Sequence, residues 1–492
     1  MVGYRGGRYV KRDLGLAMLS LIVLLGIVIT APACVLGPKV VSVTPAPATT
    51  AVPVDTALVL TFDQPMALAS LQAAIRLTPA PAEDLLVEAF ADGKSYSVKS
   101  RLPLRPGTVY QVTLSPSATS ASGKSLRREW TTSFTTAAGR SVRCWHPVFS
   151  PDGQMIAWTQ GAPGATAWSA YVAQADGSAQ PREVTASIWP ATEAVWSPDG
   201  QSLLVNLLHR TDDGTQGPAL ALVSVAGTGG SPAQPNILDL NRELSSPSRL
   251  HAEYSPDGSM LAVQNDMYMA DAHSDFVRAM GIAAADGSNW RQFGNLFLGW
   301  LADGTGLLYL DMQGPGESHS FDYDLYRYSV ASGTSTRISA VGKVRNFGQA
   351  DRSLDGTTFA FSTWQAEEIA SPQGLSIDRL PKDIWLLDAS LRGMTRLTQA
   401  GQGHNGDVAF SPAGGLLFTS DRSAATGWDV WSMPSLAQAG DVHNLTGREG
   451  YDGQPHCALN GGRVVFVSDA TGADEVWTMA ADGTDWRQVS GR

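Results

Sequence analysis

A short turn recurs seven times after residue 140, and no other feature limits the possible fold as tightly. Phe149–Gly153 reads F-S-P-D-G, Trp196–Gly200 reads W-S-P-D-G and Tyr254–Gly258 reads Y-S-P-D-G. Looser copies stand at Trp300–Gly304, Ser353–Gly356, Phe410–Gly414 and Leu459–Gly461. The glycines step by 47, 58, 46, 52, 58 and 47 residues. Each position has a backbone reason: proline presets φ, aspartate bonds its own main chain, and glycine takes the left-handed conformation. An apolar strand enters the turn and a second leaves it, as in Met155–Trp158, Leu203–Val205 and Val464–Val467. A third follows, as in Asp383–Leu387 and Glu475–Met479, then a tight turn such as Ala175–Gly177, Ala285–Gly287 or Ala481–Gly483. The fourth ends in Thr336–Ser339, Thr395–Thr398, His443–Thr446 or Arg487–Ser490. Four short strands per repeat of this length is the signature of a propeller blade. The expectation is an all-β chain whose residues 139–492 form a seven-bladed β-propeller, with six blades as the alternative.

Composition agrees with a turn-rich protein: 50 glycines, 28 prolines and only 16% charged residues. The net charge of -11 is spread along the chain, so nucleic acid is a poor candidate partner, because phosphate neutralisation needs a basic surface.

The N-terminus has the layout of an export signal over residues 1–34. Arg5, Arg8, Lys11 and Arg12 precede an apolar run from Leu14 to Ile29, and small residues lead to Cys34. Ala31-Pro32-Ala33 fits ordinary signal cleavage, and Cys34 resembles the lipid-acceptor cysteine of bacterial lipoproteins. That family usually has leucine where this chain has Ala31. The run is also nearly long enough to stay as an anchor. Lipoprotein, uncleaved anchor and free secretion all place the folded part outside the cytoplasm; the first two attach it to a membrane.

Residues 35–138 read as a proline-bearing linker and a small β domain. Leu58–Phe62, Val109–Leu114 and Trp130–Thr135 look like strands, with Pro106-Gly107 and Ser122–Lys124 as turns. Short strands over about 100 residues without paired cysteines suggest a β-sandwich. Val52–Thr56, Thr61–Met66, Leu104–Tyr110 and Ser133–Thr136 together resemble the S-layer-type bacterial Ig-like domain. That resemblance implies a spacer or adhesion module. The later repeats resemble those of the TolB-like family, with its S-P-D-G turn and closing L-T strand, although the TolB protein has six blades. This second resemblance implies a periplasmic or surface protein that binds other proteins.

Segment lengths point to a working face. The turn after the first strand of each unit stays short, whereas the loop between strands two and three varies, and binding concentrates in such loops. In units 3 to 5 these loops carry Tyr268, Asp271, His273, Asp275, His319, Tyr323, Trp364 and Glu367, an acidic and aromatic patch. It would suit a basic protein surface, or stack a sugar ring on Trp364. A second set stands four residues before the turn serine or its equivalent: His146, Glu193, His251, Phe297, Gln349, Asp407 and Gln454. It should converge at one mouth of the central channel. His146, Glu193, His251 and Asp407 are metal-ligand types, but no local ligand pair supports a metal site, and no cofactor is expected. The aromatic before each turn should pack blade on blade, with Arg352 and Cys457 breaking the pattern. Cys144 and Cys457 sit in the units that meet at ring closure. Cys144 aligns with Asp452, though, and at about 3.3 Å per residue that offset is too large for a disulfide without a shift.

G-x-S-x-G, H-E-x-x-H, P-loop and C-x-x-C motifs do not occur. The last unit runs to Arg492, which leaves no appended catalytic domain in this sequence. The expected function is an extracytoplasmic, envelope-tethered scaffold binding an envelope protein through one propeller face. A glycan-binding or glycan-processing propeller is the alternative, as is a metal-dependent lactonase or lyase at the channel mouth.

Overall fold

The computed structural model describes residues 37–491, apart from 55, 82–84, 101–103, 139–141, 163, 166, 189–191, 211–215, 227–234, 239, 241–247, 269–275, 313–320, 346–349, 366–381, 389–393, 400–401 and 424–425. Among the described residues, helix is confined to Leu68–Ala74 and a short 3-10 turn at Leu436–Gln438. Everything else regular is strand. No described helix is long and apolar enough to cross a membrane.

The first domain is a two-sheet sandwich. Alternate residues of Leu58–Phe62 and Val109–Leu114 are buried, as a strand with one covered face requires. One sheet orders Val40–Thr44, Leu58–Phe62, Ser95–Ser100 and Leu85–Ala89; the other orders Ile75–Thr78, Val109–Leu114 and Trp130–Thr135. Leu60, Phe62, Leu71, Tyr110, Val112 and Phe134 fill the space between them. The tyrosines bury their rings and still satisfy their hydroxyls. The Tyr96 hydroxyl accepts from Met66 N–H at 2.7 Å, and the Tyr110 hydroxyl accepts from Arg105 N–H at 3.0 Å.

The remaining strands form a β-propeller built of successive antiparallel units. The first unit is Arg143–Phe149, Met155–Gly161, Trp168–Gln174 and Arg182–Ile188. Later units open on Val195–Trp196, Ser248–Tyr254, Leu296–Trp300, Ala350–Arg352, Asn405–Phe410 and Gly450–Cys457. They are called repeats 1 to 7 below.

The turn chemistry accounts for the repeat. The Ser150 hydroxyl donates to the Asp152 carboxylate at 2.6 Å and accepts from Met155 N–H at 2.9 Å, while Asp152 accepts from Gln154 N–H at 3.0 Å. Ser197–Ser202, Ser255–Met260 and Ser353–Thr358 repeat this set. In repeat 7, Asn460 takes the aspartate's place and accepts from Gly462 N–H at 3.0 Å. The glycines also have a neighbour to avoid: a Cβ on Gly258 would stand 3.2 Å from Pro198, the proline of the preceding turn. The turn glycines of repeats 2, 3, 4 and 7 each face the proline of the preceding turn in this way.

The closing L-T signature has an equally local cause. Thr398 donates its hydroxyl to the buried Asp383 carboxylate at 2.6 Å and accepts Ile384 N–H at 3.0 Å. Thr446 with Asp429 and Val430 repeats the pattern, and Ser490 accepts from Val476 N–H at 2.8 Å. The fourth strand is thus pinned to the third by a hydroxyl that serves as both donor and acceptor.

Contacts between repeats follow the pre-turn aromatics. Trp196 donates its indole N–H to the Val148 carbonyl at 3.3 Å, and Trp300 to the Glu253 carbonyl at 3.2 Å, each in the preceding repeat. The ring closes by packing repeat 1 on repeat 7, with Cys144, Phe149 and Trp158 against Val465, Val467 and Val489. Cys144 N–H donates to the Asp474 carbonyl at 2.8 Å, and the Arg143 guanidinium meets the Asp474 carboxylate at 2.9 Å. Cys144 and Cys457 are both buried free thiols, as the register offset between them dictates.

Candidate functional site

Five residues separate the first and second strands in every repeat, from 150–154 in the first to 458–462 in the last. Between the second and third strands the count runs from five, residues 211–215, to seventeen, residues 366–382. The turns between first and second strands are thus uniform, although the connections between third and fourth strands on the same side run from four residues, 330–333, to eleven, 225–235. The face that carries the connections between second and third strands, the longest of all, is called the varied face below.

The structure brings part of the channel set together. The inner strands of repeats 1, 6 and 7 each carry a β-bulge, seen as register shifts at Trp145/Val148, Gly406/Ala409 and Gly453/His456. His146, Asp407 and Gln454 occupy the bulges with φ of 44°, 44° and 55°. Pro147 and Pro455 follow two of them, where no ladder donor is needed. The Glu193 carboxylate lies between two imidazoles: His146 Nδ1 stands 3.2 Å from one oxygen and His251 Nδ1 3.0 Å from the other. Three successive repeats are linked through one acid. Phe297 packs its ring beside His251, with centroids 6.3 Å apart. The Gln454 side chain accepts from His146 N–H at 2.7 Å and so joins repeat 7 to repeat 1. Asp407 makes no direct bond to the Glu193 group; its charge acts on Tyr451, whose phenol is pushed up mainly by burial. Gln349 lies outside the described residues.

The structure adds a second tier two residues further along each inner strand: Glu253, Asp351 and His456. Arg352, the residue that breaks the aromatic pattern, reaches back across repeat 4 to Glu253 at 3.3 Å. Gly299 makes this crossing possible, since a Cβ there would stand 3.2 Å from Arg352 Cδ and 2.7 Å from Phe359. Burial pushes the Glu253 carboxyl up, against the pull of Arg352 and His251. Burial also pushes Asp351 up, although it accepts from Phe410 N–H at 2.6 Å and Arg352 N–H at 2.8 Å. His456 is driven down to about 4 by burial, with Glu193 opposing. Its Nδ1 accepts from Phe149 N–H at 3.4 Å, which requires that nitrogen to be unprotonated. Among the described residues, no three His, Cys, Asp or Glu side chains are arranged to hold a metal ion. Chemically the channel wall is an interlock of paired acids and imidazoles, with part of each side chain accessible from the channel.

The expected binding face is placed only in part. Asp271, His273, Asp275, His319 and Glu367 lie outside the described residues, as does Cys34. Tyr268 falls on the strand Met260–Tyr268 and Trp364 on Thr358–Gln365, not between strands. Tyr323 is a correction. It belongs to Phe321–Ser329, is 9% exposed, and packs with Leu325 and Phe361 in a core cluster. The aspartates on either side of it hide a strand in which Tyr323, Leu325 and Tyr328 are buried.

A family model for the bacterial Ig-like domain matches residues 36–136. No curated protein matches the chain. Among solved structures, puromycin hydrolase is similar over 72% of this chain and 54% of its own, at 14% identity and a TM-score of 0.51. The β-propeller domain of the Trilobed protease from Pyrococcus furiosus is similar over 72% and 99%, at 11% identity and a TM-score of 0.50. The fold is what these likenesses show. A protein described as TolB from Agrobacterium tumefaciens aligns more loosely, at 20% identity and a TM-score of 0.36.

Proposed function

We propose that this chain is an extracytoplasmic binding scaffold, held at the cell envelope by its N-terminus and engaging a protein partner through the varied face of the propeller. The observation that carries the reading is the length of the connections between second and third strands. They range from five to seventeen residues and include the longest connection within any repeat, whereas the turns between first and second strands hold at five. Long connections on a rigid scaffold are where binding concentrates. The Ig-like module and its family fit a spacer between envelope and ring. The repeat type fits a TolB-like propeller of seven blades, and residues 1–34 fit a lipid-bearing or anchoring leader ending at Cys34.

The test is site-specific photo-crosslinking in native envelope. Probes at positions 271, 319 and 367 should capture one partner, while probes in the turns at positions 199 and 257 should not. Capture from the turns alone would reverse the assignment of faces. For the tether, Cys34→Ala should move the protein from the detergent-soluble membrane fraction to the aqueous one. Unchanged partition would favour the uncleaved anchor.

A further inference from the structure

Repeats 5 and 6 leave between them a groove of about 1020 Å³, lined on its polar side by Arg396, Gln399, Gln402, Arg422, Ser423 and Trp431. Among the described residues, none of those that line it is acidic. The two guanidiniums differ in state. Arg396 is bonded to the buried Asp383 carboxylate. Arg422 is held only by neutral groups: Nη2 donates to Asn405 Oδ1 at 2.7 Å and Nε to Ser420 Oγ at 3.2 Å. Its Cζ stands 4.9 Å from the Phe418 ring centroid and 5.1 Å from that of Trp431. Among the described residues it forms no ion pair, and burial lowers its pKa, with the charge of Asp383 opposing. Trp431 lines the same groove with a buried indole N–H that meets no acceptor among the described residues. Asn405, Ser420 and the two rings fix the plane of the guanidinium but leave donors unused, since the group carries five N–H bonds.

We propose that this groove binds an acidic sugar, with the Arg422 guanidinium taking the sugar's carboxylate. A planar fork held in one orientation matches a planar two-oxygen anion, and one unneutralised cation balances one negative charge better than a phosphate dianion. The amides of Gln399 and Gln402 and the hydroxyl of Ser423 are the donor and acceptor types that read sugar hydroxyls. The volume is at the upper end of small-molecule pockets, roughly 300–1,000 Å³, so an oligosaccharide fits better than a single ring. Arg422 and Ser423 belong to the segment 421–426 between the second and third strands of repeat 6, so this end of the groove opens on the varied face. The inference does not depend on a protein partner binding elsewhere on that face.

The experiment uses the full chain and trigalacturonate as probe, with its methyl ester as the uncharged control, read by titration calorimetry and saturation-transfer NMR. The acid should bind and the ester should bind about tenfold more weakly or less, the scale of losing one charge-assisted hydrogen-bonded pair. Arg422→Gln should lose the acid by a similar factor, and Arg422→Lys should fall between, with unchanged circular dichroism in both. Equal binding of acid and ester by the wild-type chain, or no binding of the acid, overturns the proposal without any variant. Tighter binding of a tripeptide with a free carboxyl terminus than of trigalacturonate also overturns it, in favour of a peptide end.

Discussion

Glu193 is the residue on which most of the channel wall depends, because its two oxygens receive imidazoles from the repeats on either side. Glu193→Gln keeps the shape but loses the charge and one of the two acceptors. It should cost about 1.5–3 kcal/mol, the scale of hydrogen bonds to a charged group, seen as a lower urea midpoint at pH 6. An unchanged midpoint would mean that the imidazoles find water instead. His456 gives a pH dependence with a definite sign. In the fold it stays neutral down to a pH of about 4, while in the unfolded chain it takes up a proton near 6.5. Between those values the unfolded chain binds more protons, so His456 makes stability rise with pH from about 4 to about 6.5, and its contribution is complete above that. His456→Gln keeps an acceptor for Phe149 N–H and removes the titration. The difference in urea midpoint between pH 4.5 and 7.5 should shrink in the variant, and an equal difference would contradict the assignment.

At the scale of the element, the turn was readable from residue types because proline, aspartate and glycine each meet a separate backbone demand. Repeat 6 shows the same logic by default: Ala413 stands where the other turns have a carboxylate or an amide, and its turn lacks that side-chain acceptor. Ala413→Asp should stabilise the protein by about 0.5–1.5 kcal/mol, one net hydrogen bond, measured as a rise in the urea midpoint. A fall would show that the repeat 6 turn differs in backbone from its counterparts. The upper tier of the channel was readable too, since aligning the turns puts His146, Glu193 and His251 in one column. The lower tier was not. Val148, Val195, Gly299 and Ala409 share its column with Glu253, Asp351 and His456, so no common residue type marks it. Arg352 was visible as an exception, but its partner two repeats back depends on the absent side chain of Gly299. Tyr323 escaped for the opposite reason, because aspartates on both sides made a strand look like a loop.

For the whole molecule, closure without a covalent link is the feature most open to a simple check. Cys144 and Cys457 are buried on neighbouring repeats, and burial pushes Cys457 up to about 11 and Cys144 higher still. Thiolate is the reactive form, so neither should react with a thiol reagent in the native protein at pH 8, and both should react in denaturant. Loss of both thiols without reductant in denaturant would instead reveal a disulfide. The central claim concerns the ring as a presenting platform, and crosslinking tests it most directly. Photoreactive residues at positions 271, 319 and 367 should each link to the same envelope partner, and residues at 199 and 257 to none. A partner caught only from 199 and 257, on the uniform five-residue turns, would contradict the account.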